Sequence, residues 1–151
     1  MMRSVRSHSE SETASVAEKT IRDLGIEKGT FFLYGELGAG KTAFVRGLAR
    51  GIGSDPDEVS SPTFVLAQQY VGTTILHHVD LYRLTPEEVN EFEPQLLEMM
   101  SGQGLVAVEW ADRLERPLSG VIHVRIADDG GDDRVISIET TDEANLESKP
   151  A

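Results

Sequence analysis

Residues 35–42 read Gly-Glu-Leu-Gly-Ala-Gly-Lys-Thr and match the pattern G-x-x-x-x-G-K-[ST] at every position. A β-branched and aromatic run at residues 30–34 precedes this turn, and the apolar spacing of residues 41–52 predicts a helix after it. Glycines let successive backbone N–H groups point at phosphate oxygens, and the start of a helix adds positive charge there. Lys41 would reach the β- and γ-phosphates, and the Thr42 hydroxyl would bind Mg²⁺. The sequence therefore predicts a nucleotide site between a strand and a helix.

The remainder of the chain predicts further strands separated by short helices. The predicted elements are a helix over residues 11–24, strands over residues 63–71, 74–81 and 105–108, a helix beginning at Thr85, and a hairpin of residues 121–127 and 134–140. This order predicts a three-layer α/β domain of the P-loop NTPase type, with a mixed, mainly parallel central sheet and a C-terminal hairpin. We expect one domain over residues 11–140, a disordered N-terminus over residues 1–10 and a flexible tail over residues 141–151.

Composition narrows the classes of protein to which this chain can belong. The 151 residues include no cysteine, which excludes disulfides, thiolate metal sites and cysteine nucleophiles. No apolar run approaches the roughly 18 residues that span a bilayer, so we expect a soluble, cytoplasmic protein with no membrane partner. The net charge is −12 and the arginines are scattered, so any nucleic acid would be held mainly by a partner. That charge serving only solubility is an equally good interpretation.

Two acidic residues follow predicted strands and are candidates for binding the metal ion. Asp80 ends the strand of residues 74–81, and Glu109 follows the wholly apolar strand of residues 105–108. A phosphate-binding loop needs a carboxylate at the end of a neighbouring strand to hold Mg²⁺ or its waters. Either acid could ligate Mg²⁺ while the other orients the attacking water, and the sequence leaves both assignments open. Asp80 capping a turn is the structural alternative.

Three other features carry weaker functional signals. Residues 60–63 include hydroxyl side chains that could sense a γ-phosphate, although a Ser/Pro turn that opens a strand is the simpler interpretation. His77 and His78 are adjacent on a predicted strand and point to opposite faces, which favours structural roles. Trp110, the single tryptophan, could stack on a base or a partner, but composition favours packing.

Four segments resemble the TsaE (YjeE) family of small bacterial ATPases, which are needed for making threonylcarbamoyladenosine in tRNA. The matching segments are residues 33–42 (LYGELGAGKT), 61–64 (SPTF), 78–84 (HVDLYRL) and 108–110 (VEW), and the resemblance extends over residues 11–139. It implies a P-loop fold, ATP or ADP and Mg²⁺ as ligands, and action with the TsaB and TsaD proteins, which carry the transferase chemistry. An acidic ATPase that reaches tRNA only through that complex agrees with the net charge.

The resemblance also implies roles for individual residues. Those at the nucleotide would be Thr13, Glu36, Leu37, Gly38, Ala39, Gly40, Lys41, Thr42, Ala43, Ser61, Trp110 and Arg134. Thr42 and Glu109 resemble the Mg²⁺ ligands, and Asp80 resembles the Walker B-type acid, which could also bind the metal. Ser61 and Thr63 would lie in a switch-like loop, and Lys41, Asp80, Glu109 and Thr63 would carry the catalysis. Residues 89–95 depart from the family pattern, because they lack its glycine and include Pro94.

Other classes of protein share the phosphate-binding loop. A small-molecule kinase of the shikimate-kinase type has the same loop, but it usually carries an arginine-bearing lid that is not evident in this sequence. A regulatory GTPase is disfavoured, because the chain has no N-K-x-D element and residues 80–83 lack the glycine of D-x-x-G. A non-catalytic adaptor that binds ATP and a partner remains an alternative.

Overall fold

The computed structural model describes residues 2–36, 38–59, 67–114 and 120–140. Within these ranges the chain forms strands β1 (Met2–Ser7), β2 (Gly29–Tyr34), β3 (Ala67–Val71), β4 (Ile75–Asp80), β5 (Leu105–Glu109), β6 (Ile122–Asp128) and β7 (Arg134–Thr140), with helices α1 (Glu10–Leu24), α2 (Lys41–Gly51) and α3 (Pro86–Ser101). Short 3₁₀ turns cover Pro56–Glu58 and Ala111–Arg113. No helix in this described part of the chain is both long and apolar enough to cross a membrane.

The described strands form one mixed sheet in the order β1-β7-β6-β2-β5-β4-β3. The four central strands β6, β2, β5 and β4 pair in parallel. Antiparallel pairs flank them, with β1 and β7 at one side and β3 at the other. The mixed sheet and the C-terminal hairpin are therefore confirmed, and the parallel pairing lies at the centre of the sheet.

Helices cover both faces of the sheet and give the predicted three layers. α1 and α2 pack on one face, where Phe44 and Leu48 meet Phe31 and Leu33 of β2 in a buried cluster. α3 packs on the opposite face over β4 and β5, in a second buried cluster that includes Phe92 and other apolar side chains. β5 is buried at every residue because apolar layers lie on both of its faces.

The N-terminal segment corrects one expectation. Residues 2–7, which we expected to be disordered with the rest of residues 1–10, form β1 and pair with β7. The pairing is made by a strand distant in sequence, so local composition did not signal it. α1 begins at Glu10, one residue earlier than predicted, with the Ser9 hydroxyl accepting the Glu12 N–H at 3.0 Å. The expected tail at residues 141–151 lies outside the described residues.

The helix with the unusual proline is continuous. α3 begins with a capping box between Thr85 and Glu88, as its first turn predicted. Pro94 lies inside this helix and removes one backbone hydrogen bond, yet Phe92 and Leu96 on either side remain buried against the sheet. The burial of that face keeps residues 89–95 helical despite their departure from the family pattern.

Candidate nucleotide-binding site

The glycine-rich turn between β2 and α2 has the backbone geometry of a phosphate-binding loop. Gly38 and Gly40 have φ angles of 78° and 113°, in the region that glycine adopts without the penalty of a Cβ. α2 begins directly afterwards at Lys41, and Gly40 supplies no side-chain cap. The first turn of α2 therefore presents N–H groups that its own helix does not use, which is the arrangement that binds anions.

Lys41 lies in the floor of this turn with only 4% of its surface exposed. Its Nζ donates hydrogen bonds to the carbonyl oxygens of Gly35, at 2.6 Å, and Glu36, at 2.9 Å. Burial lowers the pKa of the ammonium group, and the nearby carboxylates of Glu109 and Asp80 oppose this shift. The ammonium is therefore held at the loop, where a phosphate would provide a stronger partner than the two carbonyls.

The carboxylates of the last residues of β4 and β5 lie beside each other, as the sequence predicts. Asp80 and Glu109 are register partners in the parallel pairing of these two strands. Because the carboxyl ends of parallel strands meet at one edge of the sheet, both acids lie at the edge where α2 begins.

Glu109 makes a direct contact with the helix that follows the phosphate-binding loop. The Thr42 hydroxyl donates to Glu109 Oε2 at 3.4 Å, a long hydrogen bond between the first turn of α2 and the end of β5. Glu109 is 2% exposed, so its carboxylate is almost completely removed from bulk water. The two candidate Mg²⁺ ligands are thus brought together.

Asp80 has a structural contact as well as its place at the site. Its Oδ1 accepts the Tyr82 N–H at 2.9 Å, which is the turn-capping role that we weighed as an alternative. Burial raises the pKa of this carboxyl group above its usual value, the Tyr82 N–H opposes that rise, and the charge of Glu109 adds to it. A carboxyl with a raised pKa beside a phosphate-binding loop is typical of a functional group.

His78 is a residue of the site that our interpretation of the sequence assigned to structure alone. Its Nε2 lies 2.6 Å from Glu109 Oε2, and both side chains are buried. The signal was available in the spacing: His78 and Asp80 are two residues apart on a strand, so they project from the same face of the sheet. His77 projects from the opposite face and makes a long contact with Gln69.

The side chain of Trp110 packs against Tyr82 and also lies at the candidate site, beside Lys41. Its backbone is left-handed, with φ of 60°, the one such conformation outside glycine among the described residues. This conformation directs the indole toward the glycine-rich turn, where the ring lies near Lys41 and packs against Tyr82 at 4.8 Å between centroids. A strained backbone at such a position is a common property of functional sites.

Thr13 and Arg134 lie on the other side of the loop, at a cleft of about 340 Å³ lined also by Ser9 and residues 38–40. The Thr13 hydroxyl is 2.8 Å from the Ser7 hydroxyl. Arg134 donates from Nε to the Ala39 carbonyl at 3.0 Å and from Nη2 to the Gly38 carbonyl at 3.3 Å. Arg134 therefore supports the loop, while nucleotide contacts from Thr13 and Arg134 stay predictions.

For five of the predicted site residues, the structure gives little or no information about a functional contact. Leu37, Ser61 and Thr63 lie outside the described residues. Ala43 is buried in the first turn of α2, and the Glu36 side chain is exposed, while its carbonyl accepts Lys41.

The oxygen donors at the site fit a Mg²⁺ ion that is held partly by the protein and partly by phosphates and waters. Among the described residues, no group of three or more acidic or histidine side chains is arranged to hold a metal ion. Mg²⁺ in nucleotide sites is commonly held by one or two protein oxygens, with phosphates and waters completing the shell. The Thr42 hydroxyl and the Glu109 carboxylate are such a pair, so the donor set fits a metal that arrives with phosphate.

The chain is similar to a solved structure and to curated proteins from several bacteria. A solved structure, YdiB from Bacillus subtilis, superposes with a TM-score of 0.74 and 27% sequence identity, over 99% of this chain and 93% of that one. The TsaE protein of Treponema pallidum is 41% identical over 101 residues, which cover 65% of this chain and 73% of that protein. The TsaE protein of Aquifex aeolicus is 35% identical over 133 residues, covering 85% and 91% respectively.

The family model described as "Threonylcarbamoyl adenosine biosynthesis protein TsaE" matches residues 7–136. This match includes the phosphate-binding loop, both strand-end acids and Trp110. Because it extends over most of the chain and agrees with the relatives above, the protein belongs to the TsaE family of tRNA threonylcarbamoyladenosine biosynthesis.

Proposed function

We propose that this protein binds and hydrolyses ATP, and that it supports tRNA threonylcarbamoyladenosine formation by docking on a TsaB–TsaD pair. One observation carries the proposal. The Thr42 hydroxyl of a glycine-rich turn contacts a buried carboxylate, Glu109, at the end of the neighbouring strand. This pairing of a P-loop hydroxyl with a strand-end acid is what nucleotide-dependent metal binding requires.

In this proposal, some residues of the site bind the phosphates and the metal ion, and others act in the hydrolysis step. The N–H groups at the start of α2 and the Lys41 ammonium bind the phosphates and neutralise their charge. Thr42 and Glu109 hold Mg²⁺, which, when bound, would stabilise charge on the phosphate oxygens. Asp80 orients the attacking water, because it is the second carboxylate at this edge of the sheet and its raised pKa favours exchange of a proton. Thr63 remains a candidate for sensing the γ-phosphate.

We expect slow turnover by the isolated protein, and the position of Arg134 supports this expectation. Its guanidinium donates to the Ala39 and Gly38 carbonyls and supports the loop from the cleft side. A positive group from a docked partner would add the transition-state stabilisation that an arginine supplies in other P-loop enzymes. The net charge of −12 supports docking on protein surfaces over independent binding of tRNA.

The experiment that tests the proposal is ATP hydrolysis by the purified protein, alone and with TsaB and TsaD from the same source. We expect slow turnover alone and a clear increase with the pair, and we expect the Lys41→Ala variant to lose ATP binding and to stop repeated rounds of tRNA modification. Repeated rounds with that variant, folded but unable to bind ATP, would disprove the proposed role.

Two rival functions give different results in the same assay. A small-molecule kinase would consume ATP in response to a metabolite and ignore the protein pair. A non-catalytic adaptor would support modification with a Glu109→Gln variant that docks but does not hydrolyse ATP.

A further inference from the structure

The side chain of His78 joins the end of β5 to the β3–β4 hairpin. Its Nε2 lies 2.6 Å from Glu109 Oε2, and its Nδ1 lies 3.4 Å from the Tyr70 hydroxyl. The Tyr70 hydroxyl in turn contacts the Gln68 side chain. His78 is completely buried and Glu109 is 3% exposed at its side chain, so water does not compete for the hydrogen bond between them.

In the proposed function Glu109 binds the metal as a carboxylate, which only accepts hydrogen bonds, so Nε2 of His78 donates to Oε2. The Tyr70 hydroxyl lies beside Nδ1, the other nitrogen of the ring. The hydrogen bond to Glu109 is short, and hydrogen bonds to a carboxylate are shorter and stronger than those between neutral groups.

This hydrogen bond bears on the candidate metal site because it reaches the same oxygen as Thr42. A glutamate side chain has three rotatable torsions, and burial alone does not select the orientation that faces α2. Among the described residues, the hydrogen bonds to the Glu109 side chain come from His78 and Thr42, and both reach Oε2. The stronger of them, from His78, therefore sets the direction of the carboxylate.

We propose that His78 is a positioning residue that holds the Glu109 carboxylate in place for Mg²⁺, with the β3–β4 hairpin orienting the imidazole through Tyr70. The inference rests on the proposed function, in which Glu109 binds the metal. Partners of this kind, which hydrogen-bond a metal ligand, commonly change metal affinity by about 10- to 100-fold when they are removed. The competing interpretation is that the pair only satisfies two buried polar groups, which would affect stability without affecting the metal.

The test uses three variants of the full chain. His78→Leu removes the donor and keeps an apolar side chain of similar bulk, while His78→Gln keeps an N–H near the position of Nε2. His77→Leu is the matched control, because it changes the adjacent histidine on the opposite face of β4. The measurement is the affinity for a fluorescent ADP analogue, first in EDTA and then as a function of Mg²⁺ concentration, with a thermal melt of each variant.

We expect all variants to bind the analogue in EDTA within about twofold of the parent protein. In His78→Leu, the Mg²⁺ concentration at half-effect should rise about 10- to 100-fold. His78→Gln should recover much of that loss, and His77→Leu should behave like the parent protein.

A parent-like Mg²⁺ dependence in His78→Leu, with only a lower melting temperature, would overturn the inference. Equal losses of affinity in EDTA and in Mg²⁺ for both His78 variants would also overturn it, since the residue would then act through the fold. A parent protein that binds the analogue under neither condition would refute the proposed function and the inference with it. These three results are distinct.

Discussion

The indole ring of Trp110 covers the ammonium group of Lys41, with Nζ 4.5 Å from the ring centroid. A desolvated contact of this kind is worth about 2 kcal/mol or more. Composition favoured a packing role for Trp110, and the ring does pack against Tyr82. Its contact with the loop lysine makes it a part of the site as well.

Trp110 should report nucleotide binding through its fluorescence. It is the single tryptophan of the chain, so its emission comes from this site alone. Phosphates bound at Lys41 would alter the charge next to the ring, and we expect a saturable change in emission when ATP and Mg²⁺ are added. The Lys41→Met variant keeps the length of the side chain without its charge and should show no change. A saturable response in that variant would mean that the nucleotide binds near Trp110 without the Lys41 ammonium, which would contradict the role given to Lys41.

Replacing Asp80 by asparagine should stabilise the protein and reduce its activity. Asparagine keeps the oxygen that accepts the Tyr82 N–H and removes a charge that burial disfavours. Because the folded-state pKa of Asp80 lies above its usual value of 3.8, the parent protein loses stability as the pH rises from that value through the folded-state pKa. Urea denaturation across this pH window should show the advantage of Asp80→Asn growing with pH and then levelling.

A pH-independent advantage of Asp80→Asn would contradict this origin of the effect. We also expect the variant to hydrolyse ATP at least about 100-fold more slowly while it still binds the nucleotide, because a general acid–base group typically contributes about 100- to 10,000-fold.

Removing the Arg134 side chain should weaken nucleotide binding, because the glycine-rich turn loses the support of its guanidinium. Two of its hydrogen bonds hold the Ala39 and Gly38 carbonyls, and each bond from a charged donor contributes about 1.5–3 kcal/mol. We expect Arg134→Ala to bind ADP at least tenfold more weakly, as measured by calorimetry. Arg125→Ala is the control, because Arg125 lies on the preceding strand and is exposed over the Tyr34 ring. Equal losses of ADP affinity in both variants would mean that the positive charge of the hairpin is responsible, and not the hydrogen bonds from Arg134 to the loop.

At Gly47, α1 and α2 lie so close together that there is no space for a side chain. A Cβ at Gly47 would lie 1.9 Å from the Ala14 carbonyl oxygen and 2.7 Å from the Ala17 Cβ. We expect Gly47→Ala to destabilise the protein by about 3 kcal/mol or more in urea denaturation, since the helices must separate. Gly29→Ala is the control, because its Cβ would meet only the Ile26 side chain, at 3.4 Å. Similar stabilities for the two variants would contradict this packing.

The fold was predictable where local sequence carried its own signal. The hairpin of β6 and β7 agrees with the prediction within one residue, because its alternation and its Asp/Gly-rich turn are local. β1 was not predictable in this way, because Met2–Ser7 becomes a strand only by pairing with β7. Strand formation at an edge depends on the partner as much as on the strand's own residues.

In the candidate site, too, some features were predictable from local sequence and others depend on contacts between distant segments. The loop motif and the strand-end positions of Asp80 and Glu109 predicted which residues meet, because carboxyl ends of parallel strands share one edge. The sequence did not give the link from His78 to Glu109, which depends on two strands being neighbours and on the direction of a side chain between them. The backbone conformation of Trp110 was equally inaccessible, since it is set by its surroundings.

The pairing of β1 with β7 has a consequence for synthesis on the ribosome. The loop's lysine and threonine are made early, while Arg134, which braces the loop, lies on the strand made last among those described. Ser7, whose hydroxyl meets Thr13, lies on β1, which pairs with β7 alone among the described strands. In a nascent chain, the glycine-rich turn therefore lacks the support of Arg134 until β7 has left the ribosome.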